Sequence, residues 1–193
     1  MRTTEFWAGE FGNEYVDRNR VDWLKRERFW RSIMPDDVET VLEVGCNIGS
    51  NLKAIRGAVG ITGVGVDVNE KALLEAAGAG FEVHRMPGQD VSQRLGHDAF
   101  DLVFTAGVLI HVPPEDLDQT MAAIVEASKK YVLAVEYAHP QDTMIEYRGH
   151  ADKLWKRPYG QLYQKMGLTL TAFGMASHED GFDRCAYFLM EKS

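Results

Sequence analysis

The sequence predicts an α/β protein in which a mainly parallel sheet of about seven strands carries helices on both faces. Three observations favour this class. Short apolar runs alternate with helical patterns along the chain, which is typical of parallel strands joined by helices. The stretch VLEVGCNIGSNL (41–52) has a strand pattern that meets a glycine turn and then a helix. The chain ends with two strand patterns on either side of the polar turn SHEDGFD, which predicts a reversed hairpin.

The elements follow one another without repeats or linkers, so residues 1–193 are predicted to form one domain. A leading amphipathic helix is predicted to end before Pro35, and residues 1–34 are therefore an expected helical cap or lid. The 138–158 stretch, read as irregular, is the expected substrate-side insertion. The predicted strands are 41–44, 63–68, 81–86, 100–106, 131–137, 168–175 and 185–192, and the predicted helices are 14–33, 51–56 capped by Gly57, 70–77, 113–130 and 158–166.

Composition narrows the function classes. The net charge of −8 and the pI near 5.2 disfavour binding to long nucleic acids. No apolar run approaches the roughly 18 residues of a membrane span, and the start lacks a signal-peptide pattern. Cys46 and Cys185 fit no disulfide or metal spacing, and the six histidines show no ligand motif. We therefore expect a cytoplasmic protein with reduced thiols, without a metal, membrane or nucleic-acid partner. The oligomeric state is left open.

The glycine turn indicates which nucleotide is bound. A Rossmann dinucleotide turn needs three glycines, but after Gly45 this chain has Asn47 and Ser50 at the other two positions. A phosphate-binding GxxxxGK[ST] motif is also missing. The turn therefore suits a nucleoside-like ligand without phosphates.

Three acids at the ends of successive strands complete this pattern. Asp67 ends the second strand, where a carboxylate can accept from both ribose hydroxyls. Asp90, after the third strand, suits the amino edge of an adenine, and Glu43 precedes the glycine turn. Alone, each acid has a simpler explanation, Asp67 as a helix N-cap and Asp90 as a loop carboxylate. Together they favour a cationic cofactor, S-adenosyl-L-methionine.

With these motifs in view, the chain resembles the class I S-adenosylmethionine-dependent methyltransferases over nearly its whole length. More narrowly, it resembles the small bacterial methylases associated with pseudaminic acid biosynthesis. The resemblance lies in the stretches WAGEFGNEYVDRN (7–19), LEVGCNIGSNL (42–52), GVDVNEKA (65–72), FDLVFTAGVLIHVPPEDL (100–117) and EYRGHADKLWKR (146–157).

The resemblance implies a Rossmann-like sheet with strand order 3-2-1-4-5-7-6, in which strand 7 is antiparallel. It also implies the cofactor contacts. The methionine end would meet Gly45, Asn47 and Gly49, the ribose Asp67, and the adenine Asp90 with Val91; we add Val68 beside Asp67. The floor after strand four would be Thr105, Ala106 and Gly107.

The acceptor side rests on weaker patterns. Trp7, Phe11 and Tyr15 precede Arg18 and Asn19 at a spacing that lets a helix fold over the cofactor, although the same aromatics could simply pack on the sheet. On the lid reading, Trp7 binds substrate, Tyr15 and Asn19 bind cofactor, Tyr15 is also a candidate catalytic residue, and Arg18 or Asn19 meets the cofactor carboxylate.

His111, at the end of strand four, is a candidate general base, because an unperturbed histidine titrates near pH 6.5; it could equally be a loop histidine. Glu136 is a second catalytic candidate. Tyr137 and a polar set after it are candidate substrate ligands: Glu146, Tyr147, Arg148, His150, Lys156 and Arg157. The last two, with Lys153, form a basic cluster that suits an acceptor phosphate or carboxylate, or is a solvated turn.

The leading hypothesis is a methyltransferase that acts on a hydroxyl or amino group of a small molecule, such as a sugar or sugar nucleotide. An alternative is an N-methyltransferase of a small amine or guanidino compound, which Glu136 and Glu146 would bind. A third is a cofactor-binding protein without transfer activity. A nucleic-acid methyltransferase is disfavoured, since strand four is followed by TAGVLI and not by a D/N-P-P-Y-type tetrapeptide.

Overall fold

A computed structural model describes residues 3–193, and its centre is a seven-stranded sheet. The order β3-β2-β1-β4-β5-β9-β8 confirms the expected topology, with the final strand of the chain inserted antiparallel beside β5. A separate two-stranded sheet is formed by β6 and β7. The strands are β1 Val41–Val44, β2 Val64–Asp67, β3 Glu82–Arg85, β4 Phe100–Ala106, β5 Ser128–Glu136, β6 Thr143–Tyr147, β7 His150–Lys156, β8 Thr169–Ala176 and β9 Cys185–Glu191.

Helices cover both faces of the sheet, so the central strands β1, β4 and β5 are largely buried, and apart from Glu43 the middle of each is mainly apolar. Leu117, Ile124 and Tyr163 pack on one face. Trp30 and Ile55 pack on the other. The helices are α1 Thr3–Ala8, α2 Glu10–Arg18, α3 Arg26–Ile33, α4 Ser50–Val59, α5 Glu70–Gly78, α6 Val91–Leu95, α7 Pro114–Ala127 and α8 Tyr159–Lys165.

The single leading helix predicted over 14–33 is wrong. The chain there forms the second half of α2, leaves the helical conformation at Asn19, and becomes helical again in α3 after a short 3-10 turn. Asn19 has φ −99° and ψ 63°, and its side chain donates to the Tyr15 hydroxyl at 2.7 Å. The break lets α2 cover the sheet edge while α3 packs beneath the sheet, which one straight helix could not do.

Two further boundaries differ from expectation. Gly57 does not cap α4, because the helix continues to Val59 and ends at Gly60, whose φ is +79°. A Cβ at Gly57 would lie 2.3 Å from a carboxylate oxygen of Glu27 on α3, so a larger residue here would displace that side chain. The 138–158 stretch is not irregular: it contains the β6–β7 hairpin, which turns at Arg148 (φ +50°) and Gly149 (φ +80°).

The N-terminal helices contribute to the wall of the cavity at the carboxyl ends of the strands. The Asn69 amide donates to the Trp7 carbonyl and to the Asn13 side chain, both at 3.0 Å. The rings of Phe6 and Phe11 lie 5.0 and 5.4 Å from the His150 ring at the start of β7. Helices α1 and α2 therefore bridge α5 and the β6–β7 hairpin.

Candidate active site

A cavity of about 730 Å³ lies at the carboxyl ends of the parallel strands, where ligands bind in open α/β sheets. Its walls come from the glycine turn after β1, the ends of β2 and β4, the N-terminal helices, and the β6–β7 hairpin. Ligand pockets of this kind typically span 300–1,000 Å³. The volume is therefore sufficient for a nucleoside cofactor with part of a small acceptor.

The glycine turn needs its residue types for conformational reasons. Gly45, Asn47 and Gly49 all have φ between +48° and +75°, a region in which glycine and asparagine are tolerated. A Cβ on Gly45 would lie 2.4 Å from a methyl of Val108, so the turn after β4 approaches the backbone here directly. Asn47, at the second glycine position of a dinucleotide turn, has φ +48° and so keeps the turn tight.

Glu43 lies under this turn and is 2% exposed. Its Oε1 accepts from the Asn51 amide at 2.7 Å, whereas its buried Oε2 has no hydrogen-bond partner. The Asn51 oxygen in turn accepts from Arg26 Nη1 at 2.7 Å. Burial raises the pKa of Glu43 to about 8. An acid and a guanidinium, joined by one amide, thus line the same cavity.

Asp67, at the end of β2, is held by the turn that it faces. Its two oxygens accept from the backbone N–H groups of Asn47 and Asn69, each at 2.9 Å. Burial raises the pKa of Asp67 above its ordinary value, and these two donors act against the rise. The N-cap expected as an alternative belongs to Asn69, whose side chain accepts from the N–H of Ala72. Asp67 is therefore oriented towards the cavity with Val68 beside it.

The expected adenine and floor residues are only partly in the cavity wall. Val91 begins α6 and is fully buried in the core, Asp90 directly precedes that helix, and neither residue lines the cavity. Gly88 and Gln89, which the sequence analysis did not select, line it instead. The placement disfavours direct contacts from Asp90 and Val91. After β4, Ala106 and Gly107 line the cavity, whereas Thr105 is buried behind them.

Four aromatic side chains form the acceptor-side wall, which we call the aromatic wall: Trp7, Tyr15, His111 and Tyr147. The Trp7 ring lies 4.5 Å from the His111 ring and 5.4 Å from the Tyr15 ring. The rings of His111 and Tyr147 are 5.0 Å apart. The buried Nε1 of Trp7 has no partner. Burial raises the pKa of Tyr15 to about 12, so its hydroxyl stays protonated at neutral pH.

His111 has a defined tautomer. Its Nδ1 lies 2.6 Å from the carbonyl oxygen of Lys153, and a carbonyl can only accept, so Nδ1 carries the hydrogen and the Nε2 atom keeps the lone pair. Burial lowers the pKa of His111 to about 4. The ring is therefore neutral at physiological pH and its Nε2 is unprotonated.

Glu136 does not reach the cavity, and its proposed direct catalytic role is not supported by its position. The residue is fully buried and accepts from the backbone N–H groups of Val108 and Leu109 at 3.1 Å and of Ile110 at 3.4 Å. Burial raises the pKa of Glu136 to about 7. The side chain holds the turn that carries His111, and the sequence could not distinguish this use from catalysis.

The expected basic cluster is dispersed. Arg157 is 1% exposed and donates to Leu109 O at 3.0 Å and to Asp142 at 3.3 Å, away from the cavity lining. Lys153 is buried, with its amine 5.6 Å from the centre of the Phe6 ring. Lys156 lies over the Tyr137 ring at 5.7 Å and does not line the cavity. These positions therefore do not support an acceptor phosphate bound by all three residues.

The other predicted substrate ligands fall into two groups. Tyr137, Tyr147 and Arg148 line the cavity, and the Tyr137 hydroxyl donates to Asp183 at 2.8 Å. Glu146 and His150 are exposed and lie outside the lining. Asn19 lines the cavity together with Tyr15, whereas Arg18 stacks on the rings of Phe11 and Tyr15 outside it.

Arg26 is the main residue that sequence reasoning missed. It lies in the segment read as a continuous helix, and its role depends on a contact with Asn51. Its Nε also donates to Gly181 O at 3.1 Å, and its guanidinium stacks on Phe182 at 4.2 Å. Of the cations near the N-terminus, the sequence singled out Arg18, because the spacing of aromatics was the only available signal.

Within residues 3–193 there is no group of three or more side chains suited to hold a metal ion. No helix in this same range is long and apolar enough to cross a membrane.

Comparison with known proteins finds a family match for the central segment. Residues 41–130 match the family model described as a methyltransferase domain. The chain is 37% identical over 98 residues to a tRNA U34 carboxymethyltransferase from Shewanella sp. (strain W3-18-1), a match covering 48% of this chain and 29% of the relative. The chain thus spans under a third of that relative's length.

Solved structures share the fold over the whole chain. The magnesium protoporphyrin IX methyltransferase of Synechocystis PCC 6803 with bound SAH is 16% identical, with a TM-score of 0.70 and 98% of each chain covered. The 1,6-didemethyltoxoflavin-N1-methyltransferase of Burkholderia thailandensis, with its acceptor and S-adenosylhomocysteine, is 14% identical, with a TM-score of 0.74 and coverage of 99% of this chain and 87% of that one. At identities of 14% and 16%, these similarities show a shared fold only.

Proposed function

We propose that this chain transfers a methyl group from S-adenosyl-L-methionine to a hydroxyl or amino group of a small molecule. The premise is that residues 41–130 match a methyltransferase domain and that a methyltransferase of similar fold is solved with bound SAH. A single observation carries the proposal. The acid Glu43, the guanidinium of Arg26 and the carboxylate of Asp67 line one cavity at the ends of β1 and β2. This set matches the charges of a nucleoside that carries an amino acid.

The donor set fits the cofactor. The unpartnered buried oxygen of Glu43 suits an ammonium group, and Arg26 suits the carboxylate of the same amino acid. Asp67 would accept from the ribose hydroxyls, and the wall near Gly88 and Gln89 would meet the adenine. When bound, the cofactor supplies a methyl group activated by its sulfonium, so the protein has only to orient the acceptor and exclude water.

Residues of the aromatic wall supply the acceptor chemistry. Nε2 of His111 has the lone pair needed to take a proton from an acceptor hydroxyl or ammonium, and the low pKa keeps this nitrogen unprotonated. Trp7 and Tyr147 flank the His111 ring. Flat aromatic faces stack well on sugar or heterocyclic rings and exclude water, which supports a ring-containing acceptor.

Within this proposal a sugar or sugar nucleotide is the first candidate acceptor. It is supported by the narrower resemblance to the pseudaminic acid-associated methylases, and by the N-terminal cap and the hairpin, which enclose the acceptor side. The basic residues Lys153, Lys156 and Arg157 make separate contacts and give no support for an anionic group on the acceptor. The small-amine alternative loses Glu136 as a binding group, because Glu136 faces the Val108–Ile110 backbone.

A second candidate acceptor is a tRNA nucleotide. The expectation of no nucleic-acid partner conflicts with the name of the curated relative, a tRNA U34 carboxymethyltransferase. The net charge of −8 acts against phosphate binding, but a base turned out of its strand could still enter the cavity and stack on the aromatic wall.

The proposal is tested by measuring S-adenosylhomocysteine release against four acceptor classes in parallel: nucleotide-activated amino sugars, free nonulosonates, small amines and guanidines, and unmodified bulk tRNA. His111→Gln is the matched variant, since it retains a polar side chain but lacks the imidazole. Turnover confined to the sugars and reduced in the variant supports the first candidate. Turnover with tRNA alone replaces the acceptor, and cofactor binding without turnover on any class contradicts the proposed activity.

A further inference from the structure

The turn Val108–His111, which follows β4 and carries His111, is held on its N–H side by a buried carboxylate. Glu136 accepts from three consecutive backbone N–H groups, those of Val108, Leu109 and Ile110, at 3.1 to 3.4 Å. Glu136 itself is fully buried. A carboxylate at this position matches the positive end of the turn's peptide dipoles.

The same turn is held on its carbonyl side by a buried cation. Arg157 Nη1 donates to the carbonyl of Leu109 at 3.0 Å, and its Nε donates to Asp142 at 3.3 Å. Because Asp142 lies just before β6 and Arg157 just after β7, this one guanidinium joins both ends of the hairpin to the turn. Arg157 is 1% exposed; its Nε and Nη1 make these two hydrogen bonds, whereas its buried Nη2 has no partner.

A third attachment connects the hairpin to the His111 ring. The acceptor for Nδ1 is the main-chain oxygen of Lys153, in the middle of β7. No change of the Lys153 side chain can remove this acceptor. Its position depends on where β7 lies relative to the turn, and Arg157, directly after β7, is bonded to that turn.

From these three attachments we propose that Arg157 is a positioning residue, which holds β7 against the Val108–His111 turn so that the Lys153 carbonyl selects the Nδ1–H tautomer of His111. The effect on catalysis rests on the proposed function, in which Nε2 of His111 accepts a proton. The tautomer itself is a property of the protein alone. Glu136 supports the same geometry from the opposite side of the turn.

The test combines two substitutions at Arg157 with one matched control. Arg157→Met keeps the length of the side chain and removes both hydrogen bonds. Arg157→Lys keeps the charge but cannot reach Leu109 O and Asp142 together with one fixed fork. Arg31→Met is the control, because Arg31 also donates to a backbone carbonyl (Ala58 O, 3.3 Å) and pairs with an acid, Glu27, but on the far helix α3.

The first readout is the imidazole ¹⁵N spectrum of ¹⁵N-histidine-labelled protein, with His111 assigned by loss of its signal in His111→Gln. Wild type and Arg31→Met are expected to show His111 only as the Nδ1–H tautomer. Both Arg157 variants are expected to show a substantial Nε2–H fraction. Wild-type tautomer in a folded Arg157→Met protein overturns the proposal, and if that variant does not fold, the Arg157→Lys spectrum decides.

The second readout separates positioning from binding. We expect kcat of the Arg157 variants to fall by about 10- to 100-fold, part of the contribution of a general base, with S-adenosylhomocysteine affinity within about threefold of wild type. An equal fall of cofactor affinity would indicate a general loss of structure and contradict the proposal. If no acceptor gives turnover, the proposed function fails, while the ¹⁵N spectra still decide the role of Arg157.

Discussion

Replacement of Asp67 by asparagine tests the assignment of the ribose site. The carboxylate uses one oxygen for each of two backbone N–H groups, from Asn47 and Asn69, at 2.9 Å. Its remaining lone pairs are available to two hydroxyl donors. Asparagine retains one acceptor oxygen, and its amide group faces an N–H that then has no acceptor.

Two energies follow from this geometry. Loss of hydrogen bonds to a charged acceptor is expected to weaken cofactor binding by about 1.5–3 kcal/mol, or roughly 10- to 150-fold. The orphaned backbone N–H is expected to lower the free energy of unfolding by about 1–3 kcal/mol. Because Asn47, one of the two N–H donors to Asp67, lies in the glycine turn, the loss of cofactor binding and the loss of stability arise at the same site.

Isothermal titration with S-adenosylhomocysteine measures the first quantity, and urea unfolding at pH 7 measures the second. Asp98→Asn is the control, since Asp98 is an exposed aspartate that pairs with Lys192 and lies outside the cavity lining. It should bind as wild type does. Affinity of Asp67→Asn within twofold of wild type would refute the ribose assignment.

Three further predictions concern the titrating groups and the aromatic wall. Glu43→Gln should weaken S-adenosylhomocysteine binding about tenfold or more at pH 9. The loss should be smaller at pH 6, because the native acid, whose pKa is about 8, is already protonated there. Equal losses at both pH values, measured by titration calorimetry, would contradict this prediction. Because the pKa of Glu136 is raised to about 7 by burial, its effect on stability is most favourable below the unfolded value near 4.5 and is lost as pH rises through 7. Glu136→Gln should therefore flatten the pH dependence of the free energy of unfolding between these values, and an unchanged slope in urea titrations would refute the cause. Trp7→Ala should raise the KM for the acceptor more than the affinity for S-adenosylhomocysteine changes, and the reverse order would place Trp7 on the cofactor instead.

The fold was predictable because its signals are local. Strands such as 100–106 are mainly apolar runs, and the turn after β1 consists of glycine and asparagine, the residues that tolerate positive φ. The 14–33 helix failed because the periodic pattern continues across Asn19, where the break depends on a contact with the Tyr15 side chain. Residues 138–158 contain a hairpin that turns at Arg148–Gly149. It was not predicted, because Arg-Gly is not one of the usual hairpin-turn pairs and the flanking sequence is polar.

The cofactor side was more accessible to sequence reasoning than the acceptor side. Asp67 and Gly45 lie at fixed points after strands, so their placement follows from the order of the strands. Arg26 and Gln89 line the cavity through tertiary packing that no local pattern reports. Glu136 was a catalytic candidate because it ends strand five, and Arg157 a substrate ligand because it belongs to a local basic cluster, whereas in the fold both side chains bond one turn.

The most direct test of the account is methyl transfer from S-adenosyl-L-methionine carrying a trideuterated methyl group, with the products of the sugar and tRNA reactions analysed by mass spectrometry. The account predicts a single trideuteromethyl group on an oxygen or nitrogen of the sugar acceptor, strongly reduced in His111→Gln and unaffected in Asp98→Asn. Label on the tRNA alone would contradict the small-molecule acceptor. No label on any acceptor, with S-adenosylhomocysteine still bound, would contradict the central claim that the chain is a methyltransferase.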